Sequence, residues 1–173
     1  MALTTARELF LHELSDTLSA ENIVLEMLGT LQQETGNSEV KAALKHHETE
    51  TKGQISTLAK VFTMLGEEPE ETTCHAAVGL KKEHQALKDE NPSPLVLEIG
   101  NLAGAAKTEH YEMASYTGLI QMARDLGETE VADLLKESLD QEKEMARTVE
   151  SLAKQVGKEA KAEAKEQSDS SSG

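Results

Sequence analysis

The sequence predicts an all-α protein, read as a four-helix bundle with an additional short crossover helix between its second and third long helices. Three Pro in 173 residues and long runs of Ala, Leu, Glu and Lys favour helix, since these unbranched side chains lose little freedom there. Apolar residues recur at steps of three and four through four long stretches, the spacing of a helix with one buried face. Aromatic residues are nearly absent, with two Phe, two Tyr and no Trp.

Length and charge narrow the class further. With 38% hydrophobic content, the chain suits one domain large enough to bury a real core. A net charge of -15 argues against nucleic acid as a direct partner, because phosphate binding needs clustered Lys and Arg. The single cysteine, Cys74, cannot form an intramolecular disulfide and fits a reducing compartment. The segment MALTTARELF has no signal-peptide pattern and no stretch is apolar enough to span a bilayer, so the expected location is the cytoplasm.

The first predicted helix runs from about Thr5 to Glu34. Phe10, Leu14, Leu18, Leu25 and Leu28 make its apolar stripe, and Glu8, His12, Ser15, Ser19, Asn22 and Glu26 its wet face. Glu21 shares the stripe with the leucines. The turn at 35–38 ends this helix, with Gly36 suited to a left-handed position and Asn37 or Ser38 to capping the next helix. So short a turn makes the two helices antiparallel neighbours.

The second helix, about Glu39 to Leu65, buries Val40, Ala43, His47, Gln54, Leu58, Val61 and Leu65, and Glu50 falls on the same side. Gly66 ends it. A looser stretch follows, with a short helix over about Thr73 to Lys88, and the run AsnProSerPro at 91–94 is a stop followed by a start. A connection of this length carries the chain back along a bundle, leaving the second and third long helices parallel. The third runs from about Leu95 to Leu126 on a stripe of Leu95, Ile99, Leu102, Ala106, Met113, Tyr116 and Ile120. Glu109 sits in the middle of that stripe and Glu112 at its edge. After Gly127 the fourth carries Val131, Leu135, Leu139, Ala146, Val149 and Ala153, with Glu142 among them. Residues 1–155 thus form the bundle; 156–173 are read as a frayed charged helix passing into a disordered Ser-rich tail.

The two short turns fix relative heights. Glu21 lies 15 residues before Gly36 and Glu50 14 after it, while Glu112 and Glu142 each lie 15 from Gly127. One core-side glutamate per helix therefore meets its hairpin partner at nearly the same level, and Glu109 and His47 stand about one turn away. Carboxylates converging in a core repel strongly unless protonated, paired or bound to cations. A pair of divalent ions removes the problem, as in di-iron and di-manganese bundles, and oxygen-rich donors with one or two imidazoles favour iron or manganese.

Four stretches, LSDTLSAE at 14–21, HHETETKGQ at 46–54, EHYEMASY at 109–116 and LLKESLDQEK at 134–143, resemble the YciE/YciF-like group of ferritin-like stress proteins. The resemblance covers about Ala6 to Leu152. It implies a four-helix bundle with a crossover helix, a rubrerythrin-like site and a homodimer. By position it implies the metal ligands Glu21, Glu50, Glu109, Glu112 and Glu142, with His47 as the imidazole, around two iron ions or manganese. The wider ferritin-like pattern places His three residues after Glu50 and after Glu142, where this chain has Gly53 and Met145.

Blander readings stand beside these. His47 is either a ligand or a core histidine bonded to Glu50 or Glu21, and Glu112 alone could be a solvated edge residue. His110 supports the site from outside or lies on the surface, Tyr116 packs in the core with its hydroxyl on a site carboxylate, Asp16 is a helix-surface residue and Cys74 a small buried hydrophobe. A lane of Leu97, Gly100, Gly104, Tyr111 and Gly118 on the third long helix takes either the crossover helix or a second copy, with the dimer preferred. Two functions follow: a di-iron oxidoreductase of oxidase or peroxidase type acting on oxygen or peroxide, or a stress-associated bundle whose metal is structural or absent.

Overall fold

A computed structural model describes residues 3–170, with the backbone alone at 163 and 166–170. It is helical: α1 Ala6–Glu34, α2 Ser38–Leu65, α3 His75–Asp89, α4 Pro94–Asp125 and α5 Thr129–Ser170, with no strand among the described residues. No helix among them is long and apolar enough to cross a membrane.

Local chemistry sets the helix ends. Thr5 caps α1 reciprocally with Glu8: the Glu8 N–H donates to the Thr5 hydroxyl at 3.2 Å, and the Thr5 N–H to the Glu8 carboxylate at 2.8 Å. Asn37 caps α2, and Ser93 caps α4 with Pro94 in the first turn, where its missing N–H is no loss. Gly66 and Gly127 take the left-handed conformation, at φ 69° and 80°. Gly36 does not, contrary to expectation: α1 ends through Thr35 in an extended conformation, and the Thr35 hydroxyl accepts the Asn37 N–H at 3.1 Å.

The long helices touch in a ring, α1 on α2, α2 on α5, α5 on α4 and α4 on α1, while α3 lies against α1 and α4. At one end Arg7 reaches the Leu65 carbonyl and the carboxylates of Glu67 and Glu128. At the other, the Thr35 hydroxyl meets the buried Glu98 carboxylate at 2.7 Å. Consecutive long helices in the ring are therefore antiparallel.

The α3 segment is fastened at both ends. The Cys74 N–H donates to Ser19 Oγ at 3.0 Å, and at the far end Lys88 and His84 reach Glu34 at 2.6 and 3.1 Å. Its placement revises three expectations. Ser15 is buried instead of wet, because the chain before α3 lies over it and the Glu70 N–H donates to its hydroxyl at 2.9 Å. The glycine lane is covered by α3 where Leu87 packs on Gly100 and Cys74 meets Tyr111; a Cβ on Gly100 would lie 2.1 Å from Leu87 Cδ2. The buried arc of α4 is wider than the expected stripe: Ile99 is 41% exposed, while Ala105, Thr108 and Glu112 are buried. With three helices packed on α4, one stripe cannot describe its core.

At the C-terminus α5 continues past residue 155, where a frayed charged end was expected, and Val156 is buried. The helix assignment reaches Ser170. Residues 171–173, the last of the expected disordered tail, lie outside the described residues.

Candidate metal centre

The core is divided in two. One apolar cluster, built on Phe10, Leu14, Leu58, Phe62, Leu119 and Leu135, fills the Arg7 end; another, built on Val24, Leu28, Leu44, Leu102, Val149 and Leu152, fills the end near Thr35. Between them each long helix places polar residues inward: Glu21 from α1, His47 and Gln54 from α2, Glu109 and Glu112 from α4, Glu142 from α5, none more than 2% exposed. Helix periodicity accounts for this. His47 and Gln54 lie seven residues apart and so share a face, as do Glu109, Glu112 and Tyr116 at steps of three and four.

His47, Glu109, Glu112 and Glu142 each offer a donor atom within 4.8 Å of the others. His47 Nε2 lies 3.4 Å from Glu109 Oε2 and 3.6 Å from Glu142 Oε2. Its Nδ1 is 3.2 Å from Glu50 Oε2. Glu50 is held below the usual carboxylate range, first by that contact, so it accepts and Nδ1 carries the hydrogen. This fixes the imidazole with Nε2 toward the carboxylates. Gln54 donates its amide to Glu142 Oε1 and, at 3.0 Å, to Gln141 Oε1. Tyr116 donates its hydroxyl to Glu21 Oε1.

Burial dominates the electrostatics. It pushes Glu21 up to about 8, helped by the Glu142 charge and opposed by the Tyr116 hydroxyl. Glu109 and Glu112 are raised well above the ordinary range, by burial first and then by neighbouring glutamates. Glu142 is raised less, because His47, Glu109 and Gln54 oppose the cost of burial. Even so, Glu21 Oε2, His47 Nε2, Glu109 Oε2, both Glu112 oxygens and Glu142 Oε2 are buried without a hydrogen-bond partner. Six unpartnered ligand atoms around one centre fit bound cations, since buried polar groups are ordinarily hydrogen-bonded. The donor set is carboxylate with one imidazole, which could hold a metal ion.

The sequence profile described as "Domain of unknown function (DUF892)" matches residues 5–162. The chain belongs to the DUF892 family. Protein YciF of Escherichia coli strain K12 is 35% identical over 144 residues, covering 83% of this chain and 87% of that one. The crystal structure of the E. coli stress protein YciF superposes with a TM-score of 0.86 at 33% identity, over 90% of this chain and 99% of YciF. YcfI from Rhodopseudomonas palustris gives 0.82 at 33% identity, over 85% and 94%. A protein from Xanthomonas campestris, 22% identical with a TM-score of 0.72 over 88% and 93%, shares the fold alone. The expected YciF resemblance is thus borne out.

Of the six candidate ligands in this DUF892 chain, the structure gathers His47, Glu109, Glu112 and Glu142. Glu21 stands beside them, tied to Tyr116 and close enough to raise Glu109 and Glu112. Glu50 is displaced to the rim, 20% exposed, between His47 and His46. Glu112, expected at an edge, is buried because α4 is enclosed on three sides. His110 is exposed, and Asp16 accepts the Tyr111 hydroxyl at 3.2 Å, away from the group. Gln54 was placed on the buried face by its spacing but not assigned to the site; its seven-residue step from His47 was the available signal.

Proposed function

We propose that the chain is a ferritin-like four-helix bundle of α1, α2, α4 and α5, crossed by α3, that binds two iron or manganese ions and handles peroxide or oxygen in a stress response. The observation that carries this reading is the six unpartnered buried ligand atoms converging from four helices, with no Lys or Arg among the buried residues described. The description of E. coli YciF as a stress protein supports the physiological setting.

In this reading Glu109, Glu112, Glu142 and His47 hold the ions, and Glu21 joins them from α1. Bound iron would supply electrons for reducing peroxide or oxygen. The chain's own part is to place and shield. Glu50 orients His47, Gln54 fixes one oxygen of Glu142, and the two apolar clusters keep bulk water from the carboxylates. Tyr116 holds one Glu21 oxygen, leaving the other free to face the centre. The carboxyl groups give up protons as cations enter, since burial holds them protonated otherwise.

A second reading, a bundle with structural metal and no turnover, is favoured by Gly53 and buried Met145, which stand where the wider pattern has imidazoles. Iron-loaded protein separates the two. The first reading expects peroxide consumption that is abolished in Glu109→Ala and Glu142→Ala and largely kept in Asp16→Ala. Equal consumption by wild type and both glutamate variants leaves the structural reading.

We also place the protein in the cytoplasm as a homodimer. With α3 over Gly100 and Tyr111, the exposed Val96 and Ile99 of α4 offer apolar surface for that contact instead. Sedimentation of Ile99→Lys should show a shift toward monomer.

A further inference from the structure

We propose that Glu50 is the entry carboxylate of the centre, the group through which cations pass in and out, and not one of its permanent ligands. This rests on the reading that the buried group holds divalent cations.

Exposure is the first argument. Among the candidate ligand side chains Glu50 alone meets solvent, at 20%, while His47, Glu109 and Glu142 are 1%, 2% and 0% exposed. Glu21 and Glu112, at 0% and 1%, offer no other opening. A cation moving from water to the centre loses its hydration shell, and each step is easier where a charged oxygen replaces a water.

Connectivity is the second. Glu50 Oε1 lies 3.3 Å from Nε2 of His46, whose side chain is 76% exposed, and Oε2 lies 3.2 Å from Nδ1 of the buried His47. One carboxylate thus spans from a surface imidazole to an interior one. The i,i+3 and i,i+4 spacing on α2 produces this bridge without any loop. Beyond His47, Nε2 is 3.4 and 3.6 Å from Glu109 and Glu142.

Charge is the third. Glu50 is the outermost carboxylate on this line, and those of Glu109 and Glu142 lie behind it, past His47. An arriving cation therefore meets Glu50 as the first fixed negative charge on this line. Such a charge raises the encounter rate by about tenfold or more, an effect weakened by salt.

A group on the path but outside the final site lowers the barrier equally in both directions. Removing it slows loading and release by one factor and leaves affinity alone. Glu50→Gln is the suitable variant, because an amide oxygen still accepts the His47 Nδ1–H while the charge is gone. Cobalt(II) uptake by the full chain would be followed in stopped flow by the metal's visible absorption, and release followed after adding excess chelator. The expected result is that uptake and release both slow by about tenfold, with bound cobalt per chain and affinity within about twofold of wild type and a shallower salt dependence of uptake. Loss of bound cobalt, or a tenfold weaker affinity with unchanged uptake, would make Glu50 a permanent ligand and overturn the entry role. Unchanged rates in both directions would also overturn it, while the metal centre stood. If wild-type protein takes up no cobalt, the centre itself is removed and the entry role with it.

Discussion

Tyr116 on α4, wholly buried, donates its hydroxyl to Oε1 of Glu21 on α1, so the one aromatic side chain at the polar belt is tied to a carboxyl group across a helix interface. Tyr116→Phe keeps the ring and removes the donor, leaving both Glu21 oxygens unpartnered. Unfolding of the metal-free protein by urea should show a loss of about 1–3 kcal/mol. With metal bound the loss should shrink, because cations satisfy the same oxygens.

The raised carboxyl groups set a pH dependence of stability. Glu21 moves from 4.5 to about 8 on folding, and Glu109 and Glu112 shift in the same direction, so the folded state binds more protons than the unfolded one within this window. Their contribution is therefore fully present below pH 4.5 and is lost as pH rises through about 8. Thermal melts of metal-free protein should give a lower Tm at pH 8.5 than at pH 6, and adding manganese should reverse the order. A flat profile would contradict the protonated belt.

Charge removal should separate stability from binding. In Glu142→Gln the side chain keeps its shape and can still accept from Gln54, yet one negative charge leaves a belt that buries Glu21, Glu109 and Glu112 beside it. The metal-free Tm should rise by roughly 2–4 °C, the shift produced by about 1 kcal/mol in a chain of this size. On the proposed metal-binding reading, iron retained after loading, read by elemental analysis, should fall.

Helix glycines give a graded test of packing. An added Cβ at Gly53 or Gly118 meets nothing within 4 Å, so Gly53→Ala and Gly118→Ala should each stabilise by about 1 kcal/mol through helix propensity. Gly100→Ala should gain less than either, since its Cβ would lie 2.1 Å from Leu87 Cδ2 and that leucine must turn aside. Denaturant midpoints of the three variants provide the comparison.

The helices and the inward glutamates were legible in the sequence because both follow from period and turn length. The stops at Gly66 and Gly127 and the start at Pro94 carry conformational signatures that a chain shows locally. What escaped were features set by α3. The burial of Ser15 and Glu112 depends on a third neighbour whose position no single-helix pattern encodes. Which of the two candidates His47 and Glu50 lies deeper escaped for another reason. Both lie on the inner side of α2, three residues apart, and only side-chain direction decides which reaches the centre.

The fastening of α3 has a consequence for how the molecule opens. Its own apolar cluster is small, Ala20, Cys74 and Ala77, and much of its hold comes from polar contacts at its two ends. A segment so held can detach as a unit at a free energy well below that of global unfolding, while the four long helices stay together. Amide hydrogens of α3 should then exchange in one cooperative step, faster than those of the rest, and Lys88→Ala should quicken that step alone. The face of α4 beneath, with Gly100 and Tyr111, would be bared at each such opening, so the molecule would present two surfaces to its surroundings from one fold.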